Sequence, residues 1–352
     1  MGAVSLRETF IALGVLLLAA VVTIAVLARD GGPPTVWRAD LGAPVSAGPL
    51  LAAGALYAGT EAGNLLALDP VTGAVRWRAP VGSPPRGALR TDGSRVIART
   101  DAGGVVAVSL DGAVLWEADG LRANAAPLVV DGLMAVTTRD RTVVALTLGD
   151  GVEVWRTDVG SSLEAGLAAV GGLIAAGDLG GRLHLIDPAT GTLRETRALG
   201  TTFAGPVLDA GGTLIAAPDP HVVAIAPDGV EAWRTVTGEP SREPIVVAGD
   251  VVVVDASPDL VALDRTTGTI RWRYTSEALV VTFGVGDGLV VAGMHTGEVH
   301  GIDLASGERR WRYRTNEPVR GAPTVDEAAG ITYFGGRDGF VYAIETAQLS
   351  PE

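Results

Sequence analysis

One short phrase recurs eight times along this chain, and its aromatic slot holds Trp37, Trp77, Trp116, Trp155, Glu195, Trp233, Trp272 and Trp311. Successive slots lie 38 to 40 residues apart. A period of that length accommodates one four-stranded blade, and a self-similar array of such units closes into a β-propeller. The array overrides the length prior by which 352 residues would divide into two domains.

The clearest copy, GALYAGTEAGNLLALDPVTGAVRWR from Gly54, returns from Gly172 and again from Gly288. Each copy holds two short apolar strands, a turn with glycine, and a strand that ends at the slot. Val251 to Val254 form a continuous apolar run, which does not suit a sheet with one wet face. Stacking every sheet between two others buries both faces and resolves this. A solenoid would need distinct capping ends, and the array has none. Seven full intervals separate the eight slots, and the segment from Tyr313 to Thr346 supplies three further strands. The strand it lacks stands at the other end, in Thr35-Val36-Trp37-Arg38. An all-β, eight-bladed propeller over residues 35–349 is therefore predicted, closed by exchange of the N-terminal strand so that no edge is exposed.

The turn before the slot is Asp-x-x-Thr/Ser-Gly or Asp-Gly, as at Asp69 to Gly73, Asp111-Gly112, Asp150-Gly151, Asp187 to Gly191, Asp228-Gly229, Asp264 to Gly268 and Asp303 to Gly307. A carboxylate there bonds turn amides and glycine tolerates positive φ, so this acidic column reads as structural rather than as a metal site. The seven tryptophans, spaced a blade apart around a ring, read as blade-docking residues. Glu195 breaks the pattern, and its blade is expected to dock least tightly.

Before the array, Phe10 to Ala28 is uncharged for 19 residues. A helix of that length rises about 28 Å, close to the hydrocarbon thickness of a bilayer. The run exceeds the apolar region of a typical signal peptide. The reading is a cytoplasmic tail (1–9), a retained transmembrane signal anchor (10–28), a linker (29–34), the extracytoplasmic propeller and a short tail (350–352). Val26-Leu27-Ala28 would also satisfy a cleavage rule, so cleavage stays open. Cysteine is absent, which excludes disulfides, thiolate metal sites and a lipidated cysteine. A formal charge of −13 argues against nucleic acid as a partner.

The phrase Gly63-Asn64-Leu65-Leu66-Ala67-Leu68-Asp69 through Thr72-Gly73 to Trp77 resembles the repeat of the pyrroloquinoline-quinone-like β-propellers, over about residues 35 to 350. That resemblance implies the fold and two classes of function. One is the quinoprotein dehydrogenases, which bind the quinone with calcium. The other is non-enzymatic scaffolds such as the propeller lipoprotein of outer-membrane β-barrel assembly. Calcium needs six to eight converging oxygens, whereas Asn64, Asn124 and Asn316 fall in separate blades and the vicinal cysteines of the alcohol dehydrogenases are missing. The expectation is no enzyme, no cofactor and no metal.

Four histidines receive the same test. His184 and His300 share one column with Leu66, Val106, Val144, Val223, Val261 and Tyr342, and read as packing substitutions. His295 and His300 across a glycine turn lack a third ligand, and His221 sits in a turn. The segments entering each inner strand would ring the mouth of the central channel, and they carry Arg86, Asn124, Glu164, Arg242, Glu243 and Arg320, the candidate partner-binding residues. A second ring after the slot, Arg38, Arg78, Arg156, Arg234, Arg273 and Arg312, is expected to lie on neighbouring tryptophans or to pair with turn carboxylates. Together these features predict a membrane-anchored protein-interaction scaffold in cell-envelope assembly. A small-ligand or sugar sensor is the alternative, with a quinone-dependent dehydrogenase third.

Overall fold

A computed structural model describes residues 32–346 except 201, 210, 219 and 239–244. The expected membrane helix over 10–28 lies outside these residues, and no helix among the described residues is long and apolar enough to cross a membrane. Every regular element described is a strand. The strands form six four-stranded sheets and one eight-stranded sheet. The larger sheet is two antiparallel meanders, Val45–Pro80 and Pro85–Ala118, fastened by a single parallel pair between Ala47 and Gly87.

Within each meander, chain order is spatial order, because tight turns join antiparallel neighbours. The last sheet is the exception. Its outermost strand, Thr35–Asp40, comes from the other end of the described chain and pairs antiparallel with Phe340–Glu345. The ring is thus latched by backbone hydrogen bonds between strands about 300 residues apart in sequence, at the place where an open array would leave an edge.

The second and third strands of the units are buried on both faces. Val251–Ala256 and Leu289–Met294 show no exposed position, and Ala55–Thr60 none either. The apolar runs follow from this sandwiching. The fourth strands are different: Glu153–Asp158 and Ile270–Thr275 bury the tryptophan and expose its neighbours.

A recurring irregularity aims that tryptophan. Ala67 pairs with Trp77 and Leu68 with Val75, so Arg76 is an extra, unpaired residue. The same shift occurs beside Trp37, Trp116, Trp155, Trp233, Trp272 and Trp311, and beside Glu195. Such a bulge bends the strand and re-aims the next side chain. The bulge residue is an arginine in four of these strands, and it reaches back to the turn carboxylate: Arg76 to Asp69 (2.8 Å), Arg194 to Asp187 (2.6 Å), Arg271 to Asp264 (2.6 Å), and Arg310 to Asp303. Four of the seven turn carboxylates are therefore paired by the arginine before the slot, and the expected ring after the slot does other work. Arg78 donates to the Leu41 carbonyl, Arg156 pairs with Glu153, Arg234 with Glu231, Arg273 with Asp259, and Arg38 lies over Phe340 rather than over a tryptophan.

The turn itself is held as its composition predicts. Asp69 Oδ1 accepts from the amides of Val71 and Thr72, and the Gly73 amide donates to the Asp69 carbonyl. The Arg76 guanidinium leads the causes that hold the Asp69 carboxyl down at about 2.

Candidate channel-mouth site

Six joints between neighbouring sheets share one geometry. Trp37 lies against Gly73, Trp77 against Gly112, Trp116 against Gly151, Trp155 against Gly191, Trp233 against Gly268, and Trp272 against Gly307. Each glycine belongs to the turn of the next sheet, and each indole Nε1 donates to a carbonyl of that turn: Pro70, Leu110, Leu148, Pro188, Arg265 and Leu304, at 2.8–2.9 Å. Gly73 shows why no other residue serves. It has φ +73°, and a Cβ there would stand 2.6 Å from the Trp37 ring. The Trp37 joint connects the last sheet to the first, and Tyr333 adds a second hydrogen bond to Pro70 (3.1 Å).

These joints fix where the inner-strand entries lie. Four of them, with the turns beside them, frame a hollow of about 500 Å³ at the mouth of the channel, lined in part by Ser46, Glu61, Arg86, Arg99, Arg320 and Arg337. Of the sequence-predicted mouth residues, Arg86 and Arg320 line it. Asn124 does not: it accepts from Thr137 and donates to the Leu163 carbonyl, tying two adjacent sheets together. Glu164 is exposed away from the hollow, and Arg242 and Glu243 lie outside the described residues.

Arg99 and Arg337 were not legible as mouth residues, because they end or follow the second strand rather than begin the first. The signal was available in register: where Arg99 stands, the equivalent positions of the other repeats hold Gly59, Thr137, Gly177, Ala217, Asp255, Gly293 and Gly335. A long cation among such residues calls for a reason.

Four guanidiniums face one carboxylate in the lining. Arg86 is engaged, 3.4 Å from Glu61 and 3.2 Å from Asp101. Burial pulls its basicity down, and the bonds to Asp101 and Glu61 outweigh that to give a net rise. Arg99 is less satisfied. One Nη donates to the Thr100 carbonyl, and the buried Nε has no hydrogen-bond partner. Burial lowers its basicity, the negative charge of Asp101 opposes that, and the positive charges of Arg139 and Arg86 add to the lowering, yet a guanidinium remains charged at any ordinary pH. Among the described residues neither Arg320 nor Arg337 makes an ion pair. The hollow is thus a local excess of positive charge on a protein whose formal charge is −13.

A family model described as outer membrane protein assembly factor BamB matches residues 21–145, 121–208, 139–279 and 276–350, nearly the whole chain. The chain belongs to the BamB family. Among its relatives, outer membrane protein assembly factor BamB of Burkholderia pseudomallei is 26% identical over 64% of this chain and 55% of its own length. The Nitrosomonas eutropha protein of the same name is 31% identical over 46% of this chain and 42% of its own. The chain spans about half the length of these relatives. The crystal structure of BamB from Moraxella catarrhalis superposes with a TM-score of 0.75 at 19% identity, covering 88% of this chain and 99% of that one. A computationally designed protein, Ika8, superposes with a TM-score of 0.72 at 14% identity, covering 87% and 97%. At such identities the likeness is one of fold.

Two histidines of this BamB-family propeller are absorbed into its own packing. His184 Nε2 bonds Asp178 at 2.8 Å and Nδ1 bonds Thr196 at 3.0 Å. Burial pushes the Asp178 carboxyl up, and the bonds from His184 and Arg182 outweigh it, so the net direction is down. His300 accepts or donates between Tyr274 (2.7 Å) and Glu298 (3.3 Å), and burial holds it below its ordinary pKa. These two are more than packing substitutions: each carries a buried polar network between strands. His295 accepts from the Leu279 amide instead of joining His300. Among the described residues no group of three acidic, histidine or cysteine side chains is placed to hold a metal ion.

Proposed function

We propose that this chain is an interaction scaffold of the cell envelope that works in outer-membrane protein assembly, with a binding rather than a catalytic role. The observation that carries this reading is the family match running from residue 21 to 350 over a closed ring of docked sheets. Taking the two meanders of the eight-stranded sheet as separate units supports reading the ring as eight-bladed. Residues 10–28 form the membrane anchor, with the tail before them cytoplasmic and the propeller outside, and tethering raises the local concentration of the ring beside membrane partners. The partner is a protein, and it docks at the channel mouth around Arg86 and Arg320. Such a rigid ring presents a pre-formed surface.

Photo-crosslinking in intact cells tests this reading. A crosslinker at Arg320 is expected to trap a discrete envelope protein, identified by mass spectrometry, while one at exposed Val152, just before an outer strand, traps none. Equal capture from both positions, or none from either, would sink it. A small-ligand sensor is the second reading, favoured by a polar hollow of about 620 Å³ between Tyr274, Glu298, His300, Arg309 and Arg312. Under that reading, purified protein would carry a small molecule detectable by native mass spectrometry and lost on Arg309→Gln.

A further inference from the structure

The mouth hollow combines three features whose coexistence needs an explanation. It concentrates guanidinium charge, it leaves part of that charge unpaired, and it is recessed. Arg86, Arg99, Arg320 and Arg337 line it against Glu61 alone. Burying a donor without a partner is destabilising, and Arg99 Nε is such a donor. An apolar side chain at 99 would bring no such donor, and none of the equivalent positions, which hold glycine, alanine, threonine and aspartate, carries a cation. Binding sites are where such destabilising charges concentrate, because a ligand can complete them.

We propose that this hollow binds a short acidic peptide segment, inserting carboxylates between Arg99, Arg320 and Arg337. This rests on the scaffold reading above and names the chemistry of the partner. Guanidiniums present planar forks that match carboxylates two bonds at a time, and about 500 Å³ lies within the range of about 300–1,000 Å³ typical of ligand pockets. The charge that the protein carries elsewhere selects the size of the guest. A long polyanion such as nucleic acid would run beyond the hollow over a surface with a formal charge of −13, and would be repelled there. A flat anionic membrane would not reach recessed groups such as Arg99. A few acidic residues on a loop or a chain end meet only the arginines. The inner-strand register breaks between Arg86 and Arg90 and between Arg320 and Thr324, placing Gly87-Ala88 and Gly321-Ala322 in the lining. Gly87 leaves open space for the guest's backbone, whereas Gly321 is packed against the Gly48 carbonyl.

The test uses the full chain in detergent and a fluorescent hexaglutamate peptide, read by anisotropy at low and high salt. Saturable binding is expected, weakened by salt and absent for a hexalysine peptide. Arg320 and Arg337 are exposed and unpaired, so Arg320→Gln/Arg337→Gln should leave melting unchanged and weaken the peptide about tenfold or more, the loss expected for charge-assisted bonds. Arg99→Met should melt no lower than wild type and still bind less tightly. Arg314→Gln, an exposed arginine outside the hollow, should bind like wild type. Unchanged affinity in the double variant, or equal loss in Arg314→Gln, would overturn the proposal. So would displacement of the peptide by an equal concentration of inorganic phosphate, which would make this a phosphate site. A partner crosslinked at Arg320 with no peptide binding would sink this inference and keep the scaffold. Peptide binding with no crosslinked partner would do the reverse.

Discussion

The joint at Trp116 and the joint at Glu195 occupy the same place in two repeats of the array and solve the same problem with different residues. In the first, the indole covers Gly151, hydrogen-bonds Leu148 and stands opposite Ala107 in its own sheet. In the second, Glu195 stands opposite Leu185, the turn glycine Gly229 is covered by the Arg197 guanidinium, and Arg197 pairs with Glu195. The expectation that this sheet would simply dock less tightly missed that replacement. A third arrangement occurs at Trp311. Its neighbour across the joint is the last sheet, where the usual turn is replaced by the meeting of the two ends of the ring. With no turn glycine to cover, the indole lies against Gly301 of its own sheet, its Nε1 is buried without a partner, and Tyr313, Phe334 and Tyr342 fill the space. The residue opposite the slot is alanine at the six regular joints, leucine where the tryptophan is missing, and glycine where the tryptophan folds inward. The unit that repeats is therefore a filled volume shared by three positions, and the tryptophan is one way of filling it.

The largest test of that difference removes the side chain. Trp116→Ala should cost about 3–5 kcal/mol, whereas Glu195→Ala, at an exposed ion pair, should cost about 0–1 kcal/mol. Equal melting losses for the two would show that the joints are equivalent after all. Transplanting the regular joint is the next. Glu195→Trp alone meets Leu185, and Leu185→Ala alone leaves a void, so a double-mutant cycle should give a favourable coupling of about 0.5–3 kcal/mol. Additive effects would mean that the opposing residue is irrelevant to the slot. A smaller contrast lies between Trp116→Phe and Trp311→Phe. Losing the indole N–H takes away one of the two donors to the Leu148 carbonyl in one case, Arg95 being the other, and removes an unsatisfied donor in the second, so denaturant midpoints should favour Trp311→Phe by about 1 kcal/mol.

The smallest effects are those of pH. Asp69 is depressed from 3.8 to about 2, so its turn contributes fully above pH 3.8, and that contribution drains away as pH falls towards 2. Tyr333 at the closing joint is raised by burial from 10.0 to about 12, so its contribution is complete below pH 10 and is lost as pH rises to 12. Arg76→Gln should flatten the acid limb of a stability profile and Tyr333→Phe the alkaline limb. An alkaline limb unchanged in Tyr333→Phe would detach it from ring closure.

Much of this was legible in the chain because the repeat reports on itself. The spacing of the slots, the Asp and Gly of the turns, and the first strand's need for a partner are local or periodic facts, and the pairing of Thr35–Asp40 with Phe340–Glu345 follows from counting strands. The candidate site was legible only in part. Arg86 and Arg320 announce themselves as strand entries, whereas Arg99 and Arg337 reach the same hollow from the far ends of other strands, and Asn124, which reads identically, is spent on holding two sheets together.

What the sequence alone determined is the period, and with it the sheet size, the burial of both faces and the closure of the ring, because each depends on residues that neighbour one another along the strand or recur at a fixed interval. What only the tertiary structure decided is which charges meet at the channel mouth and how the two irregular joints are filled. Those depend on distances between strands far apart in the chain, where a guanidinium's partner, or its lack of one, is set by the packing of the whole ring.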